Sequence, residues 1–210
     1  MASTKPIDLD ALLASPTALL IASVALVSVA AWMAPWLKAA LILNPKRVWT
    51  GGEIHRLLTA GWLHADSAHL FFNMLTLYLF AEQVTSVLGT TRFLALYGSA
   101  VVVAFVPTTL RYMHRGQYNS LGASGAVTAV MLSATLLHPG LELYVMFLPI
   151  KVPALAYALL YMAYSVWHSW GSGARDRINH DAHFFGAIYG AMFTYAFEPE
   201  RVVATVKHFI

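Results

Sequence analysis

A short polar segment punctuated by glycine surrounds one hydroxyl with the features of a nucleophile. It comprises residues 119–126, in which Gly122 and Gly125 flank Ser124, and glycine lets backbone approach closely on both sides of that hydroxyl. The apolar run 126–137 that follows predicts a helix. Ser124 then lies in its first turn, where backbone N–H groups lack intrahelical partners. A hydroxyl beside free N–H donors suits acyl transfer, because it can attack a carbonyl while the amides stabilise the oxyanion.

The same segment has a plainer explanation. Small residues such as Gly-Ala-Ser-Gly also mark close packing between membrane helices. The chemical interpretation depends on other polar residues in apolar surroundings, which are His69 and Asn73 before the segment and His183 after it.

His69 and Asn73 are four residues apart, so on a helix they share one face. Polar groups inside a membrane span are costly and usually face the bundle interior. Each alone is explained by an interhelical hydrogen bond. As a pair facing the same interior as Ser124, they are suited to donate hydrogen bonds to an oxyanion.

His183 is the candidate general base. Gly186 and Gly190 form a small-residue stripe that lets a neighbouring helix approach, and His183 lies three residues before Gly186 on the same stripe. If that stripe packs on the Ser124 helix, the imidazole can reach the hydroxyl. Asp181 is only two residues from His183 and points elsewhere on a helix, so the sequence predicts a Ser-His dyad without a third member.

A metal site is the competing interpretation of the histidines, of which the chain has nine. His180 and His183 share a helix face, but His64 and His69 are poorly spaced for one face and no His-Glu-x-x-His motif occurs. Cysteine is absent, which removes the thiolate ligands. We therefore do not predict a metal site.

Composition indicates a polytopic membrane protein. Of 210 residues, 59% are hydrophobic and 11% charged, with mean hydropathy +0.62, whereas soluble domains have about 25% charged residues. The net charge of +3 is too mild and dispersed for a nucleic-acid surface, and it suits loops that face an anionic lipid bilayer.

The apolar segments predict an all-α protein with six transmembrane helices. They lie at about 16–36, 68–87, 92–111, 123–137, 153–170 and 181–197. The fourth, with roughly 15 residues, rises only about 22 Å, less than the hydrocarbon thickness of about 30 Å. A short helix of this kind is tolerated around a water-filled cavity, with Ser124 at its floor.

We predict one domain over residues 1–210. Its remaining parts are a short polar leader at 1–14, an interfacial and folded first loop at 38–67, and a polar to weakly amphipathic tail at 198–210. The leader lacks the basic cluster of a signal peptide, so the first apolar run is expected to be retained. Residues 141–152 contain Pro149 and Lys151 and predict an extended connection rather than a helix.

Together these motifs resemble the rhomboid family of intramembrane serine proteases, over roughly residues 45–197. The motifs that carry the resemblance are His64-x4-His69-x3-Asn73, Gly122-Ala123-Ser124-Gly125, Ala182-His183-x2-Gly186-x3-Gly190 and the connection Leu148-Pro149-Ile150-Lys151-Val152-Pro153. The combination of their order and spacing is specific, whereas no single motif is.

The resemblance implies a role for each of these residues. Ser124 would be the nucleophile and His183 the general base and later acid. His69 and Asn73, with the Ser124 amide, would stabilise the oxyanion. His64 would support the turn into the second helix, with Gly122, Gly125, Gly186 and Gly190 as further structural support. The implied substrates are transmembrane segments of other proteins, cut without a metal or cofactor.

The chain departs from the family pattern at three places. His55-Arg56 replaces a common Trp-Arg pair, Thr128 stands where an aromatic residue usually packs on the catalytic imidazole, and Leu132 stands where glycine is common. A non-catalytic binder of transmembrane segments on the same scaffold therefore stays open as the alternative. A small transporter is a weaker one, because one polar cavity near one face makes no pathway.

The expected location is a multi-pass position in a membrane, with the bacterial inner membrane as the expected compartment. The distribution of lysine and arginine would put the odd-numbered loops in the cytoplasm. The resemblance implies the opposite orientation, which we follow because the charges of a folded first loop are weak topology signals.

Overall fold

The computed structural model describes residues 15–144, 150–171 and 179–209, and this part of the chain is mostly helical. Its helices are Pro16–Met33, Pro35–Leu41, Pro45–Gly51, Arg56–Thr59, the 3₁₀ turn Ala60–Trp62, Ser67–Tyr112, Ser124–Leu137, Ala154–Gly171, His180–Phe197 and Pro199–Phe209. The predicted all-α class is confirmed at this level. The predicted leader at 1–14 lies outside the described residues.

The first helix ends earlier than the predicted residue 36. It ends at Met33, because Ala34 precedes Pro35 and adopts extended backbone angles (φ −126°, ψ 91°), as steric contact with a following proline ring favours. Pro35 then begins the separate short helix Pro35–Leu41. The proline in the sequence was the signal for this break.

The first loop is folded, as predicted, and a buried arginine holds it together. Arg56 is 1% exposed, and its guanidinium donates to the carbonyls of Ala39 (2.9 Å) and Ile42 (2.7 Å) and to the carboxylate of Glu53 (2.6 Å). The hydrogen bond from Arg56, followed by one from Arg47, lowers the pKa of Glu53. Burial of this charge is tolerable because its Nε and Nη1 donors have acceptors and one of these is a carboxylate.

The predicted helices at 68–87 and 92–111 form a single hydrogen-bonded element, Ser67–Tyr112, which we call the long helix. Its two arms meet at Gly89, whose φ of 77° and ψ of 162° are not helical. The break is where the sequence predicts it, but the connection is shorter than the predicted one. Glycine tolerates a positive φ, so this one residue can make the kink.

Two of the described helices are long and apolar enough to cross a membrane, Pro16–Met33 and the long helix. Shorter apolar helices occur at Ser124–Leu137 and Ala154–Tyr164. The full set of six spans stays a prediction.

The helix Ser124–Leu137, the serine helix, is the centre of the fold. Every residue from Gly125 to Leu137 is buried. It packs against the long helix and against His180–Phe197, the histidine helix. Polar contacts between the serine and histidine helices include the hydroxyls of Ser133 and Thr194, whose oxygens are 2.7 Å apart.

Two further elements refine the sequence predictions. Glu142–Tyr144 and Lys151–Pro153 pair as antiparallel strands, consistent with the extended connection predicted there; residues 145–149 lie outside the described part. The tail contains a helix, Pro199–Phe209, which was not predicted. Its signals were present, with proline at the first position and basic residues in the last turn, and Thr205 anchors it by donating to the Leu136 carbonyl at 2.8 Å.

Candidate active site

Ser124 and His183 are in hydrogen-bond contact. Ser124 is the first residue of the serine helix, and His183 lies in the first turn of the histidine helix, beyond its N-cap Asn179. Nε2 of His183 is 2.7 Å from Oγ of Ser124. His183 is buried, whereas Ser124 is half-buried, so the hydroxyl keeps an approach from outside.

Glycine makes this contact geometrically possible. A Cβ atom on Gly186 would overlap the carbonyl oxygen of Gly125, and one on Gly190 would overlap that of Ala129. A Cβ atom on Gly125 would lie 2.6 Å from Cβ of Ala104 and 2.9 Å from the Ala182 oxygen. The serine and histidine helices therefore meet backbone to backbone, as the small-residue stripe predicts.

A tyrosine that sequence reasoning missed contacts the other nitrogen of the imidazole. Oη of Tyr161 is 2.8 Å from Nδ1 of His183, and the two rings stack with centroids 5.4 Å apart and planes 29° apart. Tyr161 belongs to the helix Ala154–Gly171, the tyrosine helix. A signal existed, since Tyr157, Tyr161 and Tyr164 follow helical spacing, but nothing in the sequence oriented that face toward His183.

Asp181 does not face His183. Its carboxylate pairs with Arg111 at 2.9 and 3.2 Å. The sequence-based expectation that Asp181 points away from the imidazole is confirmed. The group nearest to Nδ1 in the described contacts is thus a neutral phenol rather than a carboxylate.

His69 borders the space next to the serine hydroxyl. Gly122, with φ of 121°, lies between them: a Cβ atom there would be 2.9 Å from Cε1 and 3.1 Å from Nε2 of His69, and 3.8 Å from Oγ of Ser124. A donor from His69 can therefore reach an oxygen held beside Ser124.

Asn73 is buried on the same face of the long helix. Its Nδ2 donates to the His69 carbonyl at 2.9 Å, which occupies one of two amide N–H groups. The second N–H is the one available to a ligand.

His64 joins the first helix to the backbone just before Ser124. Its Nε2 accepts from the Ala123 N–H at 3.5 Å, and its Nδ1 is 2.9 Å from Ser28 Oγ. Since Ser28 donates to the Trp62 carbonyl at 2.8 Å, Nδ1 carries the proton and donates to Ser28. Burial away from water lowers the pKa of His64 to about 3, with a smaller effect of His69 in the same direction, so this imidazole is neutral and can accept the amide.

The loop before Ser124 is fixed by the first loop and the histidine helix. Leu43 and Ser120 exchange two backbone hydrogen bonds of 3.1 and 3.0 Å. The Gly122 N–H donates to the Ala60 carbonyl at 3.0 Å. Asn179, a residue that sequence reasoning missed, donates to Ser120 Oγ at 3.0 Å while its own oxygen caps the histidine helix at Ala182 N. An asparagine before a helix is a recognisable cap, but its contact with Ser120 is not visible in sequence.

Among residues 15–144, 150–171 and 179–209, no three histidine, aspartate or glutamate side chains gather into a group that could hold a metal ion. His180 and His183 lie edge to face with centroids 5.8 Å apart, so they do not converge as paired ligands. The site as described is one of hydroxyl, imidazole and backbone amide groups, which can perform nucleophilic acyl transfer.

Comparison with known proteins identifies relatives of the chain. A family model described as "Rhomboid domain" matches residues 51–200. The chain is 29% identical over 156 residues to RHOMBOID-like protein 12, mitochondrial, of Arabidopsis thaliana, covering 67% of this chain and 46% of that protein. It is 27% identical over 148 residues to the putative rhomboid protease YdcA of Bacillus subtilis, covering 69% of this chain and 67% of that protein. It is 28% identical over 174 residues to the human presenilin-associated rhomboid-like protein, mitochondrial, covering 80% of this chain and 45% of that protein. The chain thus spans about half the length of the mitochondrial relatives that it matches.

Proposed function

The chain belongs to the rhomboid family, and from that premise we propose that it is an intramembrane serine endopeptidase that cleaves transmembrane segments of other proteins. The observation that carries the proposal is the 2.7 Å contact between Ser124 Oγ and His183 Nε2. A base must lie within about 2.6–3.2 Å of the proton that it takes, and this distance satisfies that requirement without rearrangement.

The reaction proceeds through an acyl-enzyme. Ser124 Oγ attacks the carbonyl carbon of the scissile peptide bond while its proton passes to His183 Nε2. The imidazolium then returns this proton to the departing amine, and the acyl group stays on the Ser124 oxygen. A water molecule, deprotonated by His183, attacks the ester and releases the new carboxylate and the serine hydroxyl.

The oxyanion formed at each step needs donors. The Ser124 N–H belongs to the first turn of the serine helix, where amides have no intrahelical partner. His69 lies across Gly122 from the serine hydroxyl, and Asn73 lies one turn along on the same face. Removing one such donor from an acyl-transfer enzyme typically costs about 10²–10³ in kcat.

A membrane setting is consistent with the outer surface of the protein. Several large apolar side chains are widely exposed, among them Leu26, Met33, Leu160 and Met192. Such an apolar exterior is disfavoured in water and favoured in lipid. We place the domain in a bilayer as six spans, with the first loop at the interface and the short serine helix below it.

The compartment is a separate matter. The matched relatives include mitochondrial proteins and a Bacillus subtilis protein, so they lend no support to a bacterial inner membrane over a mitochondrial one. The proposal therefore covers a membrane location and does not include the bacterial inner membrane expected from the sequence.

The test is cleavage of a panel of single-span substrates by the purified protein in liposomes, together with fluorophosphonate labelling. Ser124→Ala and His183→Ala should abolish cleavage, and Ser124→Ala should abolish labelling. His138→Ala, at the end of the serine helix, is the matched control and should retain both. Binding of the substrates by wild-type protein without cleavage or labelling would instead support a non-catalytic binder of transmembrane segments.

A further inference from the structure

Whether Nδ1 of His183 carries the ring proton determines whether Nε2 can act as a base. A neutral imidazole has one N–H and one acceptor nitrogen. For Nε2 to take the Ser124 proton, Nδ1 must already carry the ring proton and needs an acceptor for it. Among the described residues, the polar group in contact with Nδ1 is the Tyr161 hydroxyl, at 2.8 Å, and the Asp181 carboxylate is paired with Arg111.

The direction of this hydrogen bond follows from the contact on the other side of the ring. Ser124 Oγ lies 2.7 Å from Nε2, and when the serine hydroxyl donates, Nε2 is the acceptor. The single ring proton is then on Nδ1, and the Tyr161 oxygen, which has lone pairs, accepts it.

The Tyr161 ring restrains the imidazole in a second way. It stacks on His183 at 5.4 Å with an interplanar angle of 29°, an arrangement that aromatic pairs favour. His180 contacts another side of the same imidazole edge to face. Rotation of His183 away from Ser124 would break both the stack and the Nδ1 hydrogen bond.

We propose that Tyr161 is a positioning residue for His183: its hydroxyl accepts the Nδ1 proton and its ring fixes the imidazole plane, so that Nε2 faces Ser124. The inference rests on the proposed protease function. It assigns to a phenol on the tyrosine helix the place that a carboxylate takes in a Ser-His-Asp triad.

The experiment compares two variants with wild type in the full chain. Tyr161→Phe keeps the ring and loses the hydroxyl. Tyr157→Phe removes a phenol one turn away on the same helix, where the side chain is 42% exposed. Each variant is measured for kcat, KM and the rate of fluorophosphonate labelling at Ser124, with thermal unfolding as the check on folding.

Tyr161→Phe should lower kcat and the labelling rate roughly 3- to 10-fold, as expected for loss of one neutral hydrogen bond, while KM stays unchanged. Tyr157→Phe should match wild type. A residue with only a packing role would change the unfolding temperature and KM without this selective effect on kcat.

A spectroscopic measurement tests the same proposal without turnover. The ¹⁵N chemical shifts of His183 should identify the Nδ1–H form in wild type, and Tyr161→Phe should increase the Nε2–H form. Wild-type protein with His183 in the Nε2–H form, or Tyr161→Phe with the kinetics of Tyr157→Phe, would overturn the positioning role while leaving the protease function standing. Absence of both cleavage and labelling in wild type would overturn the function and the positioning role with it.

Discussion

Gly186 packs directly against Gly125, so that a methyl group on Gly186 would overlap the Gly125 carbonyl oxygen. Gly186 lies one turn after His183, and Gly125 follows Ser124. The distance between imidazole and hydroxyl therefore depends on two residues that take no part in the chemistry. The absence of side chains at this crossing is what allows a base on one helix to reach a nucleophile on another.

Gly186→Ala should reduce cleavage more than it reduces stability. The added methyl group forces the two helices apart, and overpacking of this kind costs about 1–3 kcal/mol. The displacement also lengthens the Ser124–His183 contact, and a misplacement of about 1 Å can cost on the order of 10²-fold in rate. Labelling rates and unfolding temperatures of the purified variant measure the two effects separately.

Gly98→Ala is the matched control for that variant. Gly98 lies within the long helix, and a Cβ atom there meets nothing within 4 Å. Alanine should be neutral or stabilise by roughly 0.5–1 kcal/mol, because glycine is the poorer helix former. Equal activity of Gly186→Ala and Gly98→Ala would contradict the role of the close crossing.

Gly122→Ala should remove activity through His69. At φ of 121° a side chain is strained, and its Cβ atom would lie 2.9 Å from Cε1 of His69, so the ring must move from its place beside Ser124. Backbone strain of this kind costs roughly 1–3 kcal/mol. We expect lower thermal stability and, in addition, loss of cleavage per folded molecule.

Gly89→Ala separates the effect of backbone strain from the effect of displacing the His69 ring. Gly89 also has positive φ, at 77°, but a Cβ atom there would meet nothing within 4 Å. This variant should lose stability by a comparable amount and keep the wild-type cleavage rate per folded molecule. If both variants lost activity equally, strain alone rather than displacement of His69 would explain the result.

The pH dependence of stability should report on His64. Its folded-state pKa of about 3 lies below the ordinary value of 6.5, so between these values the unfolded chain binds a proton that the folded chain does not. The contribution of His64 is therefore fully present above about pH 6.5, and it declines by up to about 1.4 kcal/mol per pH unit as the pH falls toward 3.

His64→Gln, which cannot titrate, should reduce the slope of the unfolding free energy against pH by up to about 1.4 kcal/mol per pH unit, which corresponds to one proton. It should also lower stability at neutral pH. Unfolding measured from pH 7 to pH 5 in both proteins gives the two slopes. Parallel slopes would mean that His64 is not held neutral by burial.

The sequence predicted those parts of the site that depend on local geometry. Ser124 lies in a first helical turn because a glycine-punctuated segment precedes an apolar run, and His69 and Asn73 share a face because helical periodicity requires it. Gly89 breaks the long helix where the sequence indicated. These conclusions needed no knowledge of which helices are neighbours.

The contacts that were missed are between helices distant in the chain. Tyr161 faces His183 because of how the tyrosine helix is rotated against the histidine helix, and Asn179 reaches Ser120 because a helix start and a loop meet in space. Helix rotation is set by the combined packing of many side chains, which one sequence does not reveal. The break at Pro35, in contrast, was visible in the sequence and was overlooked.

Asp181→Asn should leave catalysis intact, which distinguishes this site from a carboxylate triad. The Asp181 carboxylate pairs with Arg111, whose side chain is 43% exposed, and pairs of this kind contribute at most about 1 kcal/mol. A carboxylate that orients the base is worth about 10⁴ in kcat, so the two assignments differ by orders of magnitude. Arg111→Gln, which breaks the same ion pair from the other side, should give an equally small change in kcat and in unfolding temperature. A loss of more than tenfold in Asp181→Asn but not in Arg111→Gln would show that the carboxylate acts on His183, and the phenol of Tyr161 would then lose its place in the site.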